Sequence, residues 1–119
     1  MSTLNVANVT DGTTSVPTGY VVNGTTKSWA NLKGDGTVGI RESLNTSSIT
    51  DVASGQYWQN FTSSMNTTTY NVIASTQWRG ITNSDAWEAG RVYILTTDTN
   101  SGTQTDRTYM FTAIWGDLA

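Results

Sequence analysis

Apolar and polar residues alternate along this chain in short runs, and no segment sustains a period of 3.6 residues. Lys27-Ser-Trp-Ala-Asn-Leu-Lys33 sets polar residues at 27, 31 and 33 against Ala30 and Leu32, the pattern of a half-buried strand. Gly34-Asp-Gly-Thr37 predicts a tight turn, because Asp35-Gly36 tolerates positive φ, and Thr37 to Arg41 is the predicted return strand. A second hairpin is predicted from Ser48–Val52 through Ala53-Ser-Gly55 into Gln56–Phe61. Tyr57, Gln59 and Phe61 fall on one face of that last strand, Trp58 and Asn60 on the other.

The second half continues the pattern. Thr62 to Thr69 is a hydroxyl-rich linker, and its side chains favour turns over helix. Tyr70 to Trp78 is predicted as a strand with Tyr70, Val72, Ala74 and Trp78 on its drier face and Ile73 among polar neighbours on its wetter one. Arg79 to Gly90 breaks the alternation and is predicted to be the longest loop of this half. Gly90 to Thr97 is the next strand, Asp98 to Asp106 a polar hairpin loop around Ser101-Gly102, and Arg107 to Trp115 the last strand, with Tyr109, Phe111, Ala113 and Trp115 sharing a face. About seven short strands with frequent turns predict an all-β fold, a small antiparallel β-sandwich. Residues 27–119 are assigned to it. Residues 1–26 carry Leu4, Val6, Val9, Tyr20, Val21 and Val22 among Ser, Thr and Asn, with Asp11-Gly12, Pro17 and Gly19 as punctuation. Such a segment is an N-terminal attachment or oligomerisation arm, or else a terminus with one edge strand. Its apolar residues favour the arm, since they need cover from water on this subunit or on a neighbour.

Composition narrows the chemistry. The 119 residues have room for one domain that buries roughly two thirds of its unfolded surface. Charged residues make up 13%, the net charge is −3, and five Trp and five Tyr are present, which separates this chain from disordered ones. Without Cys there is no disulfide or thiolate chemistry, and without His the commonest general base and metal ligand is missing. Six Lys plus Arg against nine Asp plus Glu offer no basic patch for nucleic acid. No apolar run is long enough for a membrane span and no signal segment opens the chain, so a cytoplasmic site of synthesis is expected.

The run from Lys27 to Thr62 resembles a module common in bacteriophage virion proteins, especially tail-fibre and other structural proteins of marine phages. The shared pattern is K-x-W-x-N-x-x-G-x-G-T-V-x-I-R-x-S-x-N-x-S-S-I-T-D. Here it begins at Lys27, Trp29, Asn31, Gly34 and Gly36 and ends without a gap at Ser47-Ser-Ile-Thr-Asp51, followed by Gly55, Tyr57 and Asn60-Phe-Thr62. Leu32 stands where an aromatic residue is usual, and Val52-Ala-Ser-Gly55 replaces an Asn-Gly turn. The opening Met1 to Val6 and the end near Trp115-Gly116 are similar to such proteins as well. The resemblance implies a non-enzymatic virion structural protein assembled in the host cytoplasm. It would be a tail-fibre or tail-tip module engaging host-surface glycan, with a capsid decoration or head-fibre protein as the alternative, a homotrimer in either case and in contact with other tail or capsid proteins. The short segment before the module favours decoration.

Candidate chemistry is sparse. Asp85 with Glu88, or Asp98 with Asp106, could in principle pair for glycoside hydrolysis, but solvated loop charges are the simpler reading. Asp98-Thr-Asn-Ser-Gly102 opens like a calcium loop, yet Tyr109 stands where the closing Glu would be required, so no metal and no cofactor is expected. Trp29, Trp58 and Trp115 are expected to pack in the core or against another subunit. Trp87 lies between Asp85 and Glu88 in the predicted loop, where an exposed ring flanked by hydrogen-bonding groups suits a sugar. Arg79, Asn83, Asp85 and Trp87 are therefore the candidate glycan-binding residues.

Overall fold

Both predicted hairpins of the 27–61 run form. The computed structural model describes residues 1–77 and 80–119, with backbone alone for 80–85, so the inward position expected of Trp78 lies outside the described residues. In chain order the elements are β1 (Asn8–Thr10), β2 (Ser15–Pro17), α1 (Thr18–Gly24), β3 (Ser28–Lys33), β4 (Gly39–Leu44), β5 (Thr46–Ala53), β6 (Gln56–Phe61), β7 (Asn71–Thr76), β8 (Gly80–Glu88), β9 (Arg91–Asp98) and β10 (Met110–Trp115). The all-β fold is as the alternation predicts. Ten strands replace the expected seven or so, because β1, β2 and β8 carry no alternation long enough to register.

Two antiparallel four-stranded sheets face each other. Sheet I has the order β4–β3–β10–β7 and sheet II the order β5–β6–β9–β8. The first hairpin lies in sheet I and the second in sheet II, so the chain changes sheets within the resembling run. It does so at Asn45, a non-glycine residue at positive φ (53°). Asn tolerates that region better than most residues. Here its side chain clamps the corner, its Oδ1 accepting from the Ser63 N–H (2.7 Å) and its Nδ2 donating to the Ser63 carbonyl (3.0 Å).

Inside, Phe61, Met65, Tyr70, Val92, Ile94 and Ile114 form one apolar cluster, and Ala30, Leu32, Tyr57 and Met110 form another. A buried polar layer joins the sheets between them. Gln59 on β6 donates from Nε2 to Thr46 Oγ1 (2.9 Å) and Ser28 Oγ (3.3 Å), and its Oε1 accepts from Thr112 Oγ1 (2.7 Å). Burial of an amide is tolerable because these partners on β3, β5 and β10 satisfy it. The Thr62–Thr69 linker does more than turn. Met65 plugs one end of the sandwich at 1% exposure, held by its N–H on the Ala89 carbonyl (2.7 Å).

Two features were not given by the alternation. On β10 the buried residues are Met110, Thr112 and Ile114, whereas Phe111 is exposed, as is Tyr109 just before the strand. A threonine and two flexible apolar side chains fit the narrow interior, and the aromatic rings are turned outward. The other is helix α1, seven residues whose Gly and β-branched Val are poor helix formers and whose two turns are too short to show a period. Together β1, β2 and α1 form an arm whose residues make their bonds among themselves, such as the Thr18 N–H to the Ala7 carbonyl (2.9 Å). The arm lengthens the molecule to 50 Å along one axis, and the 16.5 Å radius of gyration exceeds the roughly 13–14 Å of a compact chain of this length.

Gln59→Ala should cost about 3 kcal/mol, since it opens a cavity and leaves the buried Thr112 hydroxyl without its partner, while Ser28 and Thr46 keep their bond to each other. Urea unfolding should show this as a lower midpoint with an unchanged slope. An unchanged midpoint would mean that the layer does not couple the sheets.

Candidate functional site

The predicted loop is strand over Gly80–Glu88. Gly80–Glu88 pairs with β9 as an edge strand, interrupted by a register shift between Ser84 and Trp87. A bulge of this kind explains the missing alternation, because it changes which face successive residues take. Trp87 is 40% exposed just beyond it. Arg79 and the side chains of Asn83 and Asp85 lie outside the described residues. Glu88 is not a free hydroxyl acceptor, for its carboxylate holds Arg91 at 2.8 and 3.0 Å, and Arg91 keeps it below the usual carboxylate range. Arg91 in turn lies over the Trp58 ring at 4.1 Å, and Trp58 packs on Tyr93 at 4.7 Å.

None of the four described tryptophans belongs to the core. Trp58 is half-buried on the outer face of sheet II, and Trp29 and Trp115 are half-buried on the outer face of sheet I. The strand register places Leu44, Trp29, Ala113 and Ile73 side by side across all four strands of sheet I. The next row reads Glu42, Asn31, Phe111 and Ser75. Beside it Tyr109 stacks on Phe111 (6.4 Å, 12° between planes), with the Arg41 guanidinium 4.1 Å from the Tyr109 ring centre. The signal for this face was present in the sequence, as the aromatic register of 109, 111 and 115, but its direction could not be read from alternation alone.

Where β10 ends and the arm begins, a cleft of about 260 Å³ is lined by Asn23, Thr67, Thr69, Asn71, Trp115 and Asp117 over a floor containing Tyr70. The Tyr70 hydroxyl is occupied, lying 2.9 Å from each of the Glu88 and Arg91 carbonyls, and burial pushes it up to about 12. An indole, two amides, two hydroxyls and a carboxylate on one wall form the set that a sugar ring requires, an apolar face to stack on and partners for its hydroxyls. This grouping is not legible in the sequence because its members come from three separated segments.

The remaining acids have structural work. Asp106 accepts from the Gly55 N–H and from the Tyr57 hydroxyl, each at 2.7 Å, and these bonds hold its carboxyl below the usual range. Burial, followed by the hydrogen bond to Asp106, raises the Tyr57 phenol. Gly55 must be glycine here, at φ 68° with a Cβ position only 2.5 Å from the Thr96 carbonyl oxygen. Asp98 turns the 98–106 loop by accepting from the Asn100 N–H (2.7 Å) and lies 3.8 Å from Arg107. Among the described residues, no three acidic groups gather in a way that could hold a metal ion, and no helix is long and apolar enough to cross a membrane. No family model, curated protein or solved structure matches the chain.

Because the folded state favours ionised Asp106, its stabilising contribution is complete above the unfolded value of about 3.9 and is lost as pH falls through the lower folded value. Urea midpoints followed from neutral to acidic pH should therefore fall in acid. Asp106→Asn should make the profile flatter, and a variant profile as steep as that of the native protein would remove Asp106 from this role.

Proposed function

We propose that this chain is a non-enzymatic structural protein of a bacteriophage virion, a tail-fibre or tail-tip module that attaches to host-surface glycan. The cleft around Trp115 carries this reading, since it gathers sugar-compatible groups at the sandwich's arm end. The resemblance of the Lys27–Thr62 run supports the virion assignment, and that run builds the first hairpin of each sheet. Trp87 offers a further exposed ring on β8, in line with the glycan-binding role assigned to Arg79, Asn83, Asp85 and Trp87.

A second reading, a capsid decoration or head-fibre protein, is favoured by the arm. Its exposed Leu4, Tyr20 and Val22 suit insertion into a neighbouring protein of a shell. A homotrimer fits either reading.

Antibody against the protein should label the tail of intact virions; label over the head would select the decoration reading instead. On the tail reading, Trp115→Ala should reduce adsorption to host cells at least tenfold while leaving the β circular-dichroism signal in place. Normal adsorption by that variant would remove the cleft from the attachment role.

A further inference from the structure

Two apolar surfaces of this molecule lack cover, and they are of different kinds. One is the outer face of sheet I, where Ile73 is 63% exposed and Phe111 41%. A sandwich sheet facing water ordinarily alternates apolar residues inward with polar ones outward. The Leu44–Trp29–Ala113–Ile73 row breaks that rule on all four strands. The other is the arm, where Tyr20 is 74% exposed and helix α1 buries no residue at all.

We propose that the arm of one copy covers the outer face of sheet I on a second copy of the same chain. This rests on the reading of the protein as an assembly module and specifies which surfaces meet. Shape supports it. The arm carries a groove of about 360 Å³ lined by Val9, Val16 and Val21, a recess for an apolar side chain, while Ile73 and Phe111 project from the sheet. Charge supports it as well. Asp11 is the one charged side chain in residues 1–26 and lines that groove, while sheet I carries two cations, Arg41 on its outer strand and Lys33 at the end of β3, against one exposed carboxylate, Glu42, in the Phe111 row. The rest of the arm is uncharged, so covering the face strands no other charged side chain of the arm.

The arm's root holds it off its own sheet. Lys27 donates its backbone N–H to the Ile114 carbonyl (2.8 Å), and its ammonium binds the carbonyls of Val22 and Thr25, which fixes α1 beyond the end of β10. A contact from arm to face joins two different surfaces. It therefore closes into a ring when the rotation between copies permits, and three copies form the smallest ring beyond a reciprocal pair.

The test uses full-length chains. In light scattering at micromolar concentration the native protein should be an oligomer. An arm variant (Val9→Asp with Tyr20→Asp) and a face variant (Ile73→Glu with Phe111→Glu) should each fall to the monomer mass, with unchanged circular dichroism. Mixed in equal amounts they should recover a dimer and nothing larger, because only one intact arm and one intact face remain to meet. Persistent association of the arm variant alone would show face-to-face pairing, and persistence of the face variant alone would show arm-to-arm pairing; either overturns the proposal. So does a native protein that stays monomeric, including one whose exposed face binds a soluble polysaccharide such as hydroxyethylcellulose. Tail or head labelling of virions is unaffected by these outcomes, so the exchange can fail while the virion reading stands.

Discussion

The satisfied amide of Gln59 is the constraint on which the sandwich depends. Two apolar clusters flank it, and neither extends across the whole interface between the sheets. A purely apolar core would let one sheet slide over the other with little change in energy. Three directional bonds from one side chain to Ser28, Thr46 and Thr112 define a single alignment of β6 against β3, β5 and β10. Tyr57 does the same one cluster away, its single proton shared between the Asp106 carboxylate and the Gly34 carbonyl, which ties the second hairpin to the turn of the first. Small domains have little apolar surface to spend, and polar bonds of this kind supply uniqueness where burial alone does not.

What could be read from the sequence follows from what alternation measures. Strand β6 was legible in its bounds and in its grouping of Tyr57, Gln59 and Phe61 on one face, the face that the structure buries, because it lies in the middle of its sheet with one face dry and the other wet. In strand β7 the drier face was legible even at the edge of its sheet, Val72 and Ala74 inward and Ile73 outward, because Ile73 stands among polar residues. Strand β10 was found, with its dry face left open. Both of its faces are apolar, and period two says which residues share a side without saying which side is dry. The bulged edge strand β8 was taken for a loop, since its residues satisfy only one neighbour and their hydrophobicity is unordered.

The tryptophans teach a related point. Trp29 and Trp115 were expected in the core or against another subunit; the interior is only as thick as Leu, Ile, Met and two tyrosines need, and both indoles lie outside it, half-buried on the outer face of sheet I. The cleft around Trp115 was invisible in the sequence because Asn23, Asn71 and Asp117 converge only when the arm, β7 and the end of β10 come together.

The position of β10 in sheet I has a consequence for synthesis. It lies between β3 and β7, bonded to both, yet it follows both of them along the chain. Until residues 110–115 emerge, β3 and β7 have no partner between them and Ile114 is absent from its cluster, so sheet I cannot close early. The arm precedes the sandwich along the chain and, with its local turns and short helix, needs none of the later strands to form. A self-contained arm thus coexists with an open sheet, and the unpaired edges of β3 and β7 stay exposed to other chains until β10 arrives.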